Sequence, residues 1–227
     1  SLDCYINQLT SLNVSANTAL TTLFCNNNQL TSLNVSSNTA LSNLDCSYNS
    51  LSSLDVSSNT ALTGLGCYSN QLTSIDVSSN TALIALQLQS NSLTSLDISS
   101  NIALDHLTVQ NNQLTYLNMK NGVTDGLTFN ATGNSLTCIE VNADDIDYAT
   151  ANWTSGNSNI DAGVTFSESC AVQGNPDYTY VPDNNFEQAL IDLGYDTALD
   201  DFVLTENISG VTNLDVNGKE ISDLTGI

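Results

Sequence analysis

The sequence predicts a mainly β solenoid built from stacked turns of 21 residues. Apolar residues recur in strict register every 21 positions, asparagines recur in the same register, and each unit has a second half with the same grammar. Periods of this size mark repeat architectures, in which each unit buries its apolar face only against its neighbours.

The first apolar column is Leu2, Leu23, Leu44, Leu65, Leu86 and Leu107. Two positions on stand Cys4, Cys25, Cys46, Cys67, Leu88 and Val109. An asparagine column follows at Asn7, Asn28, Asn49, Asn70, Asn91 and Asn112, then a leucine column at Leu9, Leu30, Leu51, Leu72, Leu93 and Leu114. The second half carries Leu12, Leu33, Leu54, Ile75, Leu96 and Leu117, then Val14, Val35, Val56, Val77, Ile98 and Met119. A second asparagine column runs through Asn17, Asn38, Asn59, Asn80 and Asn101. The half-spacing alternates between 10 and 11. A coil that encloses its own apolar side chains can hardly close in ten residues, so 21 residues make one turn. Each turn then has two short extended segments on opposite walls, as in a flattened right-handed solenoid. The asparagines have a physical reason. At each corner the backbone leaves its ladder, and an inward amide offers both donors and an acceptor to the freed groups.

These units, of the form L-x-x-L-x-C-x-x-N-x-L-x-x-L-D-V-x-x-N-x-x, resemble the nested 21-residue, IRREKO-type subclass of bacterial leucine-rich repeats over residues 1–137. The resemblance implies a secreted or surface protein of the kind found in Gram-negative bacteria, often multidomain. After Leu127 the register loosens: Thr132 stands where an asparagine is expected, and two residues are inserted before Leu136. Cys138 and Cys170 then bracket Tyr148, Trp153 and Phe166. A solenoid end needs a cover for its last apolar turn and strand edge. Residues 138–170 resemble the cap that follows such arrays. Cys138 and Cys170 are expected to form a disulfide, which implies an oxidising compartment. The other four cysteines share one inward column with Leu88 and Val109, so they are read as small buried hydrophobes.

Residues 171–181, with Gly174, Asn175 and Pro176, read as a linker. Residues 182–194 read as one amphipathic helix, with Asp183 to start it, Gly194 to end it, and Phe186, Ala189, Leu190 and Leu193 as its apolar stripe. Val211, Leu214 and Val216, then Ile221, Leu224 and Ile227, open a second repeat grammar. Residues 182–227 look like the N-terminal cap and first repeat of an internalin-like array. The chain is accordingly expected to be a piece of something longer, with open solenoid ends that could stack end to end between copies.

The charge balance narrows function. Of 227 residues, 24 are Asp or Glu and two are basic, Lys120 and Lys219, for a net charge of −22. Seven of the acids lie in residues 1–137 and 17 in residues 138–227. Phosphate backbones and anionic membranes are recognised through Lys and Arg, so nucleic-acid binding and membrane docking are excluded as expectations. No apolar run approaches the roughly 20 residues of a membrane span. Catalysis has little to work with. His106 is the one histidine, and no nucleophile elbow, phosphate loop or zinc spacing is present. No enzyme activity and no cofactor are expected. Calcium is the one metal with any support, from Asp55, Asp76 and Asp97 in one column and Asp144, Asp145 and Asp147 in the cap. One carboxylate per turn falls short of the six to eight oxygens calcium prefers.

Comparison among the repeats points to one face. The outward positions of the second half are nearly constant, whereas those of the first half vary: Tyr5, Phe24, Asn26, Tyr48, Tyr68, Gln87, Gln89, Thr108 and Gln110. Variation on a fixed scaffold, with exposed aromatics that give large contact area at low entropy cost, suits ligand reading. Ordinary exposed strand residues would look the same. The expected function is a non-catalytic secreted or cell-surface module for protein–protein recognition or adhesion. A carbohydrate-binding module and a structural spacer displaying other domains are the alternatives.

Overall fold

Each leucine of the first column sits at the centre of a short strand, and those strands stack. In a computed structural model describing residues 1–122, 125–171 and 174–226, strands Leu2–Asp3, Thr22–Phe24, Asn43–Asp45, Gly64–Gly66, Ala85–Gln87, His106–Thr108 and Thr128–Asn130 form one 7-stranded sheet in chain order. All neighbours are parallel, with Leu23 opposite Leu44, Leu44 opposite Leu65, Leu65 opposite Leu86 and Leu86 opposite Leu107. One turn is therefore 21 residues. The side chains of one column pile into a continuous inner seam, and Leu23, Cys25, Leu30 and Val35 with their later repeats are buried, while Leu2, Cys4 and Leu9 of the first turn are partly buried. A further buried column, Leu20, Leu41, Leu62, Leu83 and Leu104, completes the turn.

The opposite wall is built differently along its length. A parallel ladder of Ser95–Asp97, Tyr116–Asn118, Cys138–Glu140 and Thr165–Ser167 covers the later turns. In the earlier turns a single bridge, Asn13 to Asn34, stands for it. There the wall is held instead by the corner turns that follow, where Asn38 N–H donates to the Val35 carbonyl and Leu41 N–H to the Asn38 carbonyl.

The first asparagine column holds the corners of the first wall. Asn49 donates through Nδ2 to the carbonyls of Cys46 (3.0 Å) and Cys25 (3.1 Å), one turn back, and its Oδ1 accepts Leu30 N–H at 2.9 Å. Asn28, Asn70, Asn91 and Asn112 repeat this geometry. A left-handed residue precedes each one: Ile6, Asn27, Tyr48, Ser69, Ser90 and Asn111 have φ between 52° and 59°. That conformation redirects the chain so that the next side chain points inward. In the second column, Asn59 donates to the carbonyls of Val35 and Asn38 at 3.0 and 2.9 Å, and Asn38, Asn80 and Asn101 act likewise.

The register does not break where the sequence loosens. Phe129 lies opposite Leu107, so one residue is added to that turn. The expectation that Thr132 replaces the asparagine is overturned. Asn134 fills the column, donating to the carbonyls of Val109 and Ala131 and accepting Leu114 N–H at 3.0 Å. The extra residue shifts the whole corner, and Gly133 takes the left-handed position with φ 69°. A Cβ there would lie 2.7 Å from Asn111 Oδ1.

Helix α1, Ile146–Asn152, ends at Trp153, which is buried with its ring 4.8 Å from Phe129, 6.4 Å from Tyr148 and 5.9 Å from Phe166. These rings close the apolar seam at the C-terminal end of the first unit, which spans Ser1–Ser169. Glu140 is fully buried, with Lys120 Nζ at 2.9 Å and the Tyr116 hydroxyl donating at 3.2 Å. Cys138 and Cys170 are disulfide-bonded.

The second unit, Cys170–Ile227, has its own small core of Val181, Phe186, Leu190 and Val203. Strands Tyr178–Tyr180 and Phe202–Leu204 pair antiparallel. Helix α2, Asn184–Asp192, starts at Asp183, whose Oδ1 accepts Asn185 and Phe186 N–H at 2.9 Å. Helix α3, Thr205–Ile208, follows the second strand. The expected stripe needs one correction. Leu193 is 47% exposed, because it lies past the last helical turn with φ −89° and ψ −5°. Glu187 is buried instead, where its Oε1 accepts Asp200 N–H at 2.8 Å and Phe202 N–H at 3.2 Å. Ile227, the last apolar position expected of the second array, lies outside the described residues, as do residues 172 and 173 of the expected linker.

Two outcomes follow from this packing. Asn70→Ala strips the acceptor from Leu51 N–H and the donor from three carbonyls, those of Cys46, Cys67 and Tyr68. It is expected to cost on the order of 2–4 kcal/mol, since each stranded group costs about 1–3 kcal/mol. Urea unfolding followed by the fluorescence of Trp153, the single tryptophan, measures it. The second concerns acid. Asp183 Oδ2 accepts both the hydroxyl and the N–H of Ser222, and those bonds hold its carboxyl well below the usual range. The stability this gives the second unit is complete above the unfolded aspartate value of about 3.9 and drains as pH falls toward the lowered folded value. Burial raises Glu187, which works in the opposite sense, favouring the fold at lower pH. An acid titration of the Phe186 and Ser222 amide NMR signals should show loss of structure below that value in the native chain. Asp183→Asn removes the titrating carboxylate and should leave the second unit less stable at neutral pH and its stability less dependent on acid.

Candidate recognition surface

The varying first-half residues come together on the outer side of the 7-stranded sheet. Parallel register puts Asp3, Phe24, Asp45, Gly66, Gln87, Thr108 and Asn130 in one outward column. Two residues further, the same register places Tyr5, Asn26, Ser47, Tyr68, Gln89 and Gln110 in a second row. Tyr5 is 50% exposed, and Phe24, Asn26, Tyr68, Gln87, Gln89, Thr108 and Gln110 are each partly exposed. Thr108 Oγ1 donates to Gln89 Oε1 at 2.8 Å, tying adjacent turns. Eight of the nine expected residues therefore share one wall.

Tyr48 reaches that wall by a different route. It stands four residues after its leucine, not three, and occupies the left-handed corner at φ 52°. Bulky side chains are uncommon there. Its ring is 50% exposed and meets Tyr68 edge-on, with centroids 5.2 Å apart and planes at 78°. The floor beside this pair is the strand Gly64–Gly66. A Cβ on Gly64 would come 2.8 Å from Asn43 Oδ1, and one on Gly66 would come 3.2 Å from Asp45 Oδ1 and 3.3 Å from Ser47 Oγ. The two glycines let the side chains of the preceding turn lean across them. Sequence reasoning missed Asp45, Gly64 and Gly66 as parts of this surface. Two glycines alternating with a column leucine were the available signal.

The other expected sites have structural explanations. Cys4, Cys25, Cys46 and Cys67 are free thiols stacked in the seam. Burial pushes Cys25 and Cys67 up to about 12 and raises Cys46 well above its ordinary value, so none is a ready nucleophile at neutral pH. Asp55, Asp76 and Asp97 are caps for their own turns: each Oδ1 accepts the N–H of the serine two residues on, at 2.8–2.9 Å. Asp145 accepts from Asn142 Nδ2 at 2.9 Å where α1 begins. Among the described residues, no three His, Cys, Asp or Glu side chains converge as a metal set. His106 is half-buried in its strand between Ala85 and Thr128.

No family model and no curated protein matches the chain. Solved structures do. The functional domain of InlJ from Listeria monocytogenes, described as including a cysteine ladder, is 28% identical with a TM-score of 0.56, covering 74% of this chain and 39% of that one. A leucine-rich-repeat protein of Leptospira interrogans is 21% identical with a TM-score of 0.53, covering 62% of this chain and 41% of that one. The leucine-rich-repeat domain of APL1B is 21% identical with a TM-score of 0.52, over 73% of this chain and 53% of that one. The chain thus spans about two-fifths of the length of the first two. The fold is a leucine-rich-repeat solenoid with internalin-type structural neighbours.

The corner strain at Tyr48 can be separated from its exposure. Tyr48→Gly removes a ring contact worth about 0.5–1.5 kcal/mol. It also relieves a left-handed side chain of similar cost. Its unfolding free energy from urea titration is expected to stay within about 1 kcal/mol of the native chain, so loss of binding in this variant would not reflect loss of fold.

Proposed function

We propose that the wall carrying Tyr5, Phe24, Asn26, Tyr48, Tyr68, Gln87, Gln89, Thr108 and Gln110 recognises another protein, in a non-catalytic module that is secreted or displayed at a cell surface. The observation that carries this reading is Tyr48. An aromatic ring half in water sits on a corner backbone that disfavours bulky residues, at a cost that the fold itself does not require. Asn27, Ser69, Ser90 and Asn111 fill the same corner with small polar side chains, and Ile6 is the other bulky residue found there, so what sets Tyr48 apart is an aromatic ring paired with Tyr68. Around that ring, residues vary on a scaffold whose inner columns do not, which is the arrangement repeat solenoids use to present a specific surface. The expected secretion agrees with the Cys138–Cys170 disulfide.

The test compares the native chain with a Tyr48→Ala/Tyr68→Ala double variant and with Ser58→Ala/Ser79→Ala on the opposite wall. Each is immobilised and exposed to solubilised cell-surface proteins and, separately, to a glycan array. A protein retained by the native chain, weakened at least about tenfold by the tyrosine changes and untouched by the serine changes, is the expected result. Binding confined to glycans, or protein retention indifferent to the tyrosines, overturns the reading. So does no retention at all, which leaves the spacer role.

A further inference from the structure

The recognition wall contains a negative notch that the chain cannot fill with its own cations. Asp45 lies in the outward column between Phe24 and Gly66. Its Oδ1 accepts Ser47 N–H at 3.0 Å, which fixes the carboxylate over the glycine strand. Gly66 leaves room for that carboxylate to lie across its strand, since any Cβ there would sit 3.2 Å from Asp45 Oδ1 and 3.3 Å from Ser47 Oγ. The edge-on pair of Tyr48 and Tyr68 forms the adjoining side, and Phe24 lies on the other. The negative field of Asp45 reaches Tyr68, whose phenol is pushed up first by burial and then by that charge.

The chain has no arginine and only two lysines. Both are engaged elsewhere: Lys120 pairs with Glu140 at 2.9 Å and Lys219 with Asp192 at 2.7 Å. Neither lysine therefore supplies a positive partner for Asp45. Aromatic faces attract cations through their quadrupole, and a guanidinium can stack on a ring while its N–H groups bond to a carboxylate. An ammonium pairs with the carboxylate as a point charge and offers no plane to stack.

We infer that the notch of Phe24, Asp45, Gly66, Tyr48 and Tyr68 takes an arginine side chain from a basic segment of the partner protein. The inference rests on the proposed recognition role and assigns the partner its chemistry. The net charge of −22 draws such a segment in from a distance, and the notch gives it a fixed seat.

The probe is a short capped peptide alternating glycine and arginine, set against the same peptide with citrulline, which keeps the shape and loses the charge. Titration into the full chain is followed by NMR at low salt. The arginine peptide is expected to shift the signals of Asp45, Tyr48 and Tyr68 and to bind at least about tenfold more tightly than the citrulline peptide. Asp45→Asn, which keeps the Oδ1 bond to Ser47, should weaken it about fivefold or more. Asp55→Asn makes the same charge change on the opposite wall and should leave binding unchanged. Equal weakening by the two aspartate changes would mean diffuse attraction to an acidic protein and would overturn the inference. Shifts scattered away from the notch would do the same. A captured protein partner lost with Tyr48→Ala/Tyr68→Ala but indifferent to Asp45→Asn would overturn the arginine seat while leaving the recognition role standing.

Discussion

Everything in the first unit depends on satisfying the backbone at one corner of each turn. A coil of 21 residues can bury its leucines only if the chain bends sharply between walls, and each bend pulls N–H and C=O groups out of the ladder. The first asparagine column answers both needs at once. Its Nδ2 closes two carbonyls and its Oδ1 takes an N–H from the turn before, as at Asn49 with Cys46, Cys25 and Leu30. Because some bonds of each set stay within the turn and two cross to the previous one, the same side chain shapes the corner and clamps the stack. The second column does less, donating to two carbonyls from each buried amide. A second strand ladder is present only from Ser95 onward, and the earlier turns carry a bridge between Asn13 and Asn34 in its place.

Such a scaffold frees the outer face. Inner columns are restricted by packing, and corners by the left-handed conformation, but an outward strand position meets only solvent and its neighbours one turn away. The glycine strand Gly64–Gly66 shows that freedom used to create space, and Tyr48 shows it used at some backbone cost. The two features sit side by side, which is why the surface near the third and fourth turns differs from the amide-rich surface of Gln87, Gln89 and Gln110. The stacked cysteines stand apart from this. Their thiols are packing groups of suitable size, held neutral by burial.

Much of this was legible in the sequence because a repeat compares itself with itself. Register, turn length, inner seams and the asparagine corners are written six times over, so noise at one position does not hide the column. The cap aromatics and the Asp183 helix start were also readable, since each follows from a local rule. What escaped was whatever occurs once. Asn134 was missed because one added residue displaced it from the expected position, and only the paired strands reveal that Phe129 follows Leu107. Glu187 was hidden on an apolar helix face because its two amide partners lie beyond the helix, in residues 200 to 202. The notch at Asp45 needed the geometry of three turns at once, for no single repeat contains it.

Native-state hydrogen exchange at the amides of Leu30, Leu51, Leu72 and Leu93 tests the central claim most directly. Each of these N–H groups has an asparagine Oδ1 from the next turn as its acceptor, at 2.9–3.0 Å, and none belongs to a strand. If the asparagine clamp holds the coil together, they exchange as slowly as the strand amides of Leu44 and Leu65, through unfolding of the stack. Exchange at the rate of ordinary surface turns, while the strand amides stay protected, would show that the corners open freely and that the leucine seams alone sustain the fold.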